Sequence, residues 1–519
     1  MKMMKKTYGP LLKDSRYTIR LVIEAILIGI ASGLVVSLYR YALSNSENIF
    51  FSILSSIKGD LLLTILWFII LAILGVITAT LMKWEPLSKG SGIPQVIGEL
   101  KGYYETSWWK VLISKFIGGT LAILAGLPLG REGPSVQLGA MAAKGVSKKL
   151  KTSKTDENRL IICGSGAGIA ATFNAPIAGV LFTIETFSKS FDKSIVFVGL
   201  IAVVISDFIA KCFFGQSPLF TFTPINIPLN YYWILIILGV IMGIAGYIYN
   251  TGLIKSAEFW DKFDKVPLEL RFAITFIITG IVGFFLPDTL GGGHKMMYLL
   301  EVSIPPLSVL ITLLIVKYLL LAFCFGSGTP GGIFYPVLVI GAYIGAIFSI
   351  IITSIFGLDP LIAYQIIFIA MAAMLASSVR TPITAIILVS EMGGISTSLV
   401  GIIIVTLLAY TIPTLLGNKG IYEAILDRLL KDKKTINLDE SKSILGEYII
   451  PLDCEYIGEK VWDLPLPQTA LVVSIVRDGD TLIPDEEMVI KQMDEVFIIM
   501  NCKTYNEDNQ LIEEMLYEK

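Results

Sequence analysis

Two stretches of this chain, about two hundred residues apart, carry one pattern of glycine and proline breaks in apolar sequence, and this duplication restricts the fold to two related halves. Aligning Glu132 of Gly130-Arg131-Glu132-Gly133-Pro134 with Phe334 pairs Pro134 with Pro336, Leu138 with Ile340, Gly139 with Gly341 and Ala140 with Ala342, at an offset of 202. Downstream, Pro176 and Glu185 fall on Pro382 and Glu391 at 206; upstream, Gly90-Ser91-Gly92 falls on Gly291-Gly292-Gly293 at 201. Matching Gly/Pro-broken segments in two hydrophobic halves point to a central binding site where the halves meet.

Only 16% of the 519 residues are charged and 54% are hydrophobic, whereas a soluble domain carries roughly 25% charge. Apolar runs at 21–39, 61–82, 111–127, 195–210, 232–249, 271–286, 305–325, 337–356, 362–376 and 397–416 reach or approach the ~20 residues a helix needs to cross a bilayer. Segments near 160–187 and 379–392 are short or interrupted. A polytopic membrane protein is expected, with its first apolar stretch retained rather than cleaved as a signal.

Lys2, Lys5, Lys6, Lys13, Arg16 and Arg20 precede the first run with Asp14 as the one acid, which places residues 1–20 in the cytoplasm by the positive-inside bias. Cys163, Cys212, Cys324, Cys454 and Cys502 show no CxxC or metal-ligand spacing, which argues against a disulfide framework or a zinc site. The single histidine, His294, follows three glycines and reads as a loop residue ahead of a proton-handling one. Trp108-Trp109 reads as an interfacial anchor. With no paired nucleophile and base, an enzyme is not expected.

Past Lys419-Gly420 the composition changes. Residues 431–519 hold 20 acids against 9 bases, so the tail is net −11 while residues 1–430 are net +9. Short alternating runs at 448–450, 471–476 and 495–500 read as strands, with Arg477-Asp478-Gly479-Asp480 as a turn. The expected division is a membrane domain at 21–430, with halves at about 21–215 and 230–430, a linker at 431–445 and a small α/β cytoplasmic domain at 446–519.

A carboxylate among apolar residues costs several kcal/mol unless it is paired, protonated or facing water. Glu132 therefore calls for a function. Gly130, Gly133 and Pro134 interrupt regular helix on one side and start it on the other, giving a half-helix whose first N–H groups face a cavity, where oriented dipoles favour an anion. Gly90-Ser91-Gly92-Ile93-Pro94 and the Gly326–Phe334 stretch repeat this logic. Neutral donors hold an anion loosely enough to release it.

The stretches GSGIP at 90–94, GREGP at 130–134 and GGIFYP at 331–336 resemble the three signatures of the CLC family of chloride channels and chloride/proton exchangers, over about residues 20–430. The resemblance implies an all-α membrane domain built as an inverted repeat of tilted, broken helices, in a homodimer with one ion path per subunit. It further implies that Ser91 and Tyr422 offer hydroxyls to chloride, that Ile333 and Phe334 offer backbone N–H groups, and that Glu132 is the gate. An ionised Glu132 would occupy an anion position; a protonated one would swing out and couple protons to chloride. Chloride/proton antiport is the leading expectation and a passive chloride channel the alternative. The sequence departs from the exchanger pattern at Glu185-Thr186, where relatives with an inner proton-transfer glutamate have Glu-Glu. Thr186 cannot titrate, so an inner proton position would fall to Glu185, water or another route; Glu185 and Glu391 read as structural ahead of proton-carrying.

Residues 446–503 resemble the C-terminal domain of RCK-type potassium-transport regulators, the TrkA-C type. A small ligand such as cyclic di-AMP is implied there as one reading, a passive dimer clamp as the other. Gln492-Met493-Asp494 departs from that domain's pattern, which has Gly before the acid. No cofactor and no nucleic-acid partner is expected beyond that ligand, and a bacterial inner membrane with both termini cytoplasmic is the expected location. A potassium transporter is disfavoured, since no TVGYG-like filter is present.

Overall fold

A computed structural model describes residues 15–57, 59–217, 219–220, 227–393, 399–431, 443–477, 480–501 and 504–517. The expectations for residues 1–14, most of the 431–445 linker and the 478–479 turn centre lie outside the described residues. The chain forms two compact units. One comprises Val22–Val96 with Ser107–Ile425; the other gathers the start of the first helix up to Leu21, Ile97–Thr106 and the residues from Leu426 on.

The first half of the membrane domain runs through α1 (Ser15–Ile57), α2 (Leu61–Trp84), α3 (Ile93–Leu100), α4 (Trp108–Leu124), α5 (Glu132–Leu150), α6 (Lys154–Phe173), α7 (Pro176–Phe182, continued by a π turn to Ser188) and α8 (Lys193–Phe214). The second half repeats this order. Its helices are α9 (Tyr232–Asp261), α10 (Leu268–Phe285), α11 (His294–Val302), α12 (Leu307–Gly326), α13 (Phe334–Phe356), α14 (Ile362–Val379), α15 (Pro382–Gly393) and α16 (Leu399–Leu415). The helix α17 (Ile421–Lys431) follows. Eight helices among the described residues are long and apolar enough to cross a membrane, so the chain is an integral membrane protein. Two of the ten apolar runs, at 111–127 and 397–416, form the 17-residue helices α4 and α16, which are shorter.

Local chemistry sets these boundaries. Asp60 starts α2 by accepting from Leu62 and Leu63 N–H at 2.9 and 3.1 Å, and Ser153 and Asp192 cap α6 and α8 likewise, each satisfying N–H groups that lack a helical acceptor. The repeat mates Asn174 and Arg380 both end their helices in the left-handed conformation, at φ 55° and 70°. Proline then opens α7 and α15. Trp109 stacks edge-on to Trp84 at 5.6 Å and stays exposed.

The halves join at equivalent residues. Gly130 and Gly332 form an isolated antiparallel bridge, N–H to O at 2.7 and 2.6 Å in the two directions. Two equivalent segments that meet antiparallel are related by a local two-fold axis between the halves.

In the second unit the strands β1 (Ser443–Ile449), β2 (Ala470–Arg477), β3 (Asp480–Leu482) and β4 (Glu495–Asn501) form an antiparallel sheet in the order β1-β4-β2-β3. Alternate residues Val496, Ile498 and Met500 face a core shared with Tyr448, Val472 and Ile475. The helix α18 (Tyr505–Tyr517) adds Ile512 and Leu516 to that core. Neither β3 nor α18 was among the runs read from the sequence. Met493 adopts φ 61°, the left-handed conformation for which the family pattern supplies glycine.

Candidate functional site

Glu132 is the first residue of α5 and Phe334 the first of α13, so the Gly130–Gly332 bridge sets two helix N-termini side by side. Each presents N–H groups that have no acceptor within its helix, backed by the helix dipole. The Glu132 carboxylate lies among them: the backbone N–H groups of Arg131, Glu132 and Tyr335 face it. Its Oε1 is 3.8 Å from Arg131 Nε, a long contact for an ion pair, and its Oε2 has no hydrogen-bond partner. Glu132 is 1% exposed.

Ser91 reaches the same place from the turn before α3. Gly92 bends that turn at φ 102°, where a side chain would also meet Gln137 Oε1 at 2.6 Å. A Cβ on Gly133 would collide with Ser91 Oγ and lie 2.8 Å from Ser91 O. Glycine is thus required for the serine turn to approach α5. Tyr422, on the first turn of α17, faces Ser91, yet neither hydroxyl closes a hydrogen bond. Ile333 and Phe334 are fully buried beside them, with Ile333 O held by the Tyr249 hydroxyl at 3.1 Å and the Phe334 ring packed on Phe173 and Phe182. The five residues expected to form the site, Ser91, Glu132, Ile333, Phe334 and Tyr422, are therefore gathered by α3, α5, α13 and α17.

The three orphaned oxygens decide what the site can do. A buried polar group without a partner costs about 1–3 kcal/mol, and here two hydroxyls and a carboxylate oxygen stand unsatisfied together. Hydroxyl and backbone N–H donors converging on one place suit an anion, and the carboxylate is an anion already seated at the helix ends.

Glu185 and Thr186 are engaged otherwise. Glu185 accepts from Ile383 and Thr384 N–H at 3.0 and 2.7 Å, and from the Thr384 hydroxyl, capping α15. Thr186 is buried with its hydroxyl unpaired. Glu391 mirrors Glu185, accepting from Ile177 and Ala178 N–H at 3.1 and 2.8 Å. The His294 ring packs on Tyr335, with centroids 4.4 Å apart. Among the described residues no cluster of three or more metal-ligating side chains occurs.

Sequence reading missed two residues. Lys115 is fully buried and donates to Ser88 O at 2.9 Å and Gly90 O at 2.7 Å, holding the residues that lead into Ser91. Lys317 does the same in the other half, donating to Thr289 O at 3.0 Å and Gly291 O at 2.6 Å. Their separation of 202 is the repeat offset itself, which was the available signal.

Comparison with known proteins identifies the family of the membrane domain and of the tail. Residues 74–414 match the family model described as voltage gated chloride channel, and residues 445–507 match the TrkA-C domain. The chain is 31% identical over 431 residues to the H(+)/Cl(-) exchange transporter ClcA of Salmonella arizonae, covering 81% of this chain and 91% of that one. It is 30% identical to the ClcA of Citrobacter koseri, covering 84% and 94%. Among solved structures it resembles a slow cyanobacterial Cl-/H+ antiporter, with TM-score 0.76, 29% identity and coverage of 80% and 99%. A eukaryotic CLC transporter shares the fold, with TM-score 0.66, 22% identity and coverage of 79% and 74%.

Proposed function

The chain belongs to the voltage gated chloride channel family, and from that premise we propose that it exchanges chloride for protons across a membrane, with Glu132 as the group that both ions contest. The observation that carries this reading is the Glu132 carboxylate seated at the paired N-termini of α5 and α13, beside the unpaired hydroxyls of Ser91 and Tyr422. An ionised carboxylate fills the outer part of the anion seat. Protonation removes its charge, so the helix N–H groups no longer favour it over chloride. Chloride then takes the N–H groups of Ile333 and Phe334 and the hydroxyls of Ser91 and Tyr422, and the neutral side chain carries its proton away.

Thr186 favours a second reading, a passive chloride channel, because no titratable side chain stands at that position. Liposomes fitted with chloride and pH electrodes separate the two. An exchanger drives protons uphill on an imposed chloride gradient and loses that movement in Glu132→Gln while chloride still flows; a channel never moves protons uphill.

The finer features follow the same premise. The subunit pairs with a second copy, as membership of this family implies. It sits in a bacterial inner membrane with both termini cytoplasmic, in keeping with its basic N-terminal residues and its bacterial relatives. The TrkA-C domain binds a small regulator such as cyclic di-AMP; calorimetry on the full-length protein tests this, and no heat with any cyclic dinucleotide retires it.

A further inference from the structure

The helix that leaves the Ser91 turn ends at a contact inside the second unit. Tyr103 lies three residues past the end of α3, and there is no slack between them: Tyr103 N–H donates to Gly98 O at 3.0 Å and Gly102 N–H to Glu99 O at 2.9 Å. The Thr106 hydroxyl donates to Glu99, folding the next residues back onto the same helix end. An eight-residue helix is a rod ~12 Å long, so a displacement of Tyr103 is passed along α3 to the serine turn.

Tyr103 is itself held by the C-terminal domain. Its hydroxyl donates to the Tyr505 hydroxyl on α18 at 3.0 Å, and the two rings pack with centroids 5.0 Å apart. Tyr448 of β1 and Asp427 of α17 lie within electrostatic range of the same phenol. Tyr103 is 3% exposed, so breaking this contact removes a hydrogen bond and ring packing from a buried place. The contact ties the end of α3, which follows Ser91, to α18 of the sheet domain. The turn that supplies the Ser91 hydroxyl is thus anchored, through α3, on the C-terminal domain.

We propose that Tyr103 and Tyr505 are positioning residues for the Ser91 hydroxyl, through which the C-terminal domain sets the affinity of the seat for chloride. This rests on the chloride reading of that seat. The test is the chloride dependence of flux through the full-length protein in liposomes, for the wild type, Tyr103→Ala, Tyr505→Ala, the double variant and Tyr103→Phe. Each alanine variant is expected to shift the half-saturating chloride concentration about three- to tenfold, the range for loss of a hydrogen bond. The double variant shifts it no further than either single, since both remove one contact. Tyr103→Phe, which keeps the ring, gives a smaller shift in the same direction. Tyr517→Ala on the same helix removes a different contact, the Ile449 N–H bond at 3.2 Å, and should lower thermal stability while leaving the chloride constant unchanged. Unshifted chloride constants in both single variants, or shifts that multiply in the double, overturn the proposal. Wild-type protein that carries no chloride overturns the reading of the seat as well; wild-type flux with unmoved variants overturns the positioning role alone.

Discussion

Glu185 and Glu391 cap each other's half of the molecule. The carboxylate from the first half closes the N-terminus of α15 in the second, and the carboxylate from the second closes α7 in the first, with all four N–H to O distances between 2.7 and 3.1 Å. Together with the Gly130–Gly332 bridge, this exchange fastens the two inverted halves at two levels.

Removing either charge should weaken that fastening. Hydrogen bonds to a charged acceptor contribute about 1.5–3 kcal/mol, so Glu185→Gln and Glu391→Gln should each lower stability by ~1–3 kcal/mol in thermal unfolding in detergent. Glu185→Gln should leave the ratio of protons to chloride unchanged. A lost proton flux in that variant would instead make Glu185 a proton carrier.

Lys115 and Lys317 grip the repeat-related turns, yet only the first holds the turn that bears Ser91. Lys115→Met should strand the buried Ser88 carbonyl, at about 1–3 kcal/mol, leave Gly90 O with the Gly331 N–H alone at 3.0 Å, and weaken chloride binding measured by calorimetry. Lys317→Met should cost similar stability with a smaller effect on chloride binding.

A methyl group at Gly133 has nowhere to go. Gly133→Ala places a Cβ against Ser91 Oγ and 2.8 Å from Ser91 O, an overpacking that costs about 1–3 kcal/mol. Chloride flux should fall at least tenfold while the protein still purifies as a folded species, a combination that size-exclusion chromatography and flux assays read together.

In the C-terminal domain, Met493 occupies the left-handed conformation just before Asp494, whose carboxylate binds Arg477 Nε and a terminal guanidinium nitrogen at 2.8 and 2.7 Å. Left-handed backbone costs a residue with a Cβ about 1–2 kcal/mol. Met493→Gly should therefore raise the domain's unfolding midpoint, while Asp494→Ala, which takes from Arg477 its carboxylate, should lower the midpoint and cost ~3–5 kcal/mol of stability.

The membrane architecture was legible because glycine and proline mark helix breaks whatever surrounds them. Pro134 and Pro336, Pro176 and Pro382, and the glycines at 90–92 and 291–293 outlined the repeat and placed Glu132 and Ser91 at its centre. Tyr422 was legible only through family resemblance, since its approach to Ser91 depends on how α17 returns after some three hundred residues. Lys115 and Lys317 escaped because a lysine in an apolar run reads as a side chain seeking the interface, and only the folded turns reveal that its partners are backbone carbonyls. The reciprocal caps of Glu185 and Glu391 were hidden for a related reason: each acid sits at the end of its own helix and serves the start of another. In the tail, β3 has three residues and α18 is rich in acids, so neither presents a long apolar pattern.

The central claim is that broken helices and two hydroxyls seat a halide for which the Glu132 carboxylate competes. Anomalous diffraction from crystals grown in bromide tests it most directly, on the wild type and on Glu132→Gln. The account predicts a bromide peak between Ser91, Tyr422 and the N-terminus of α13 in both, and a second peak in Glu132→Gln where the carboxylate had been. Bromide density absent from both positions would contradict it.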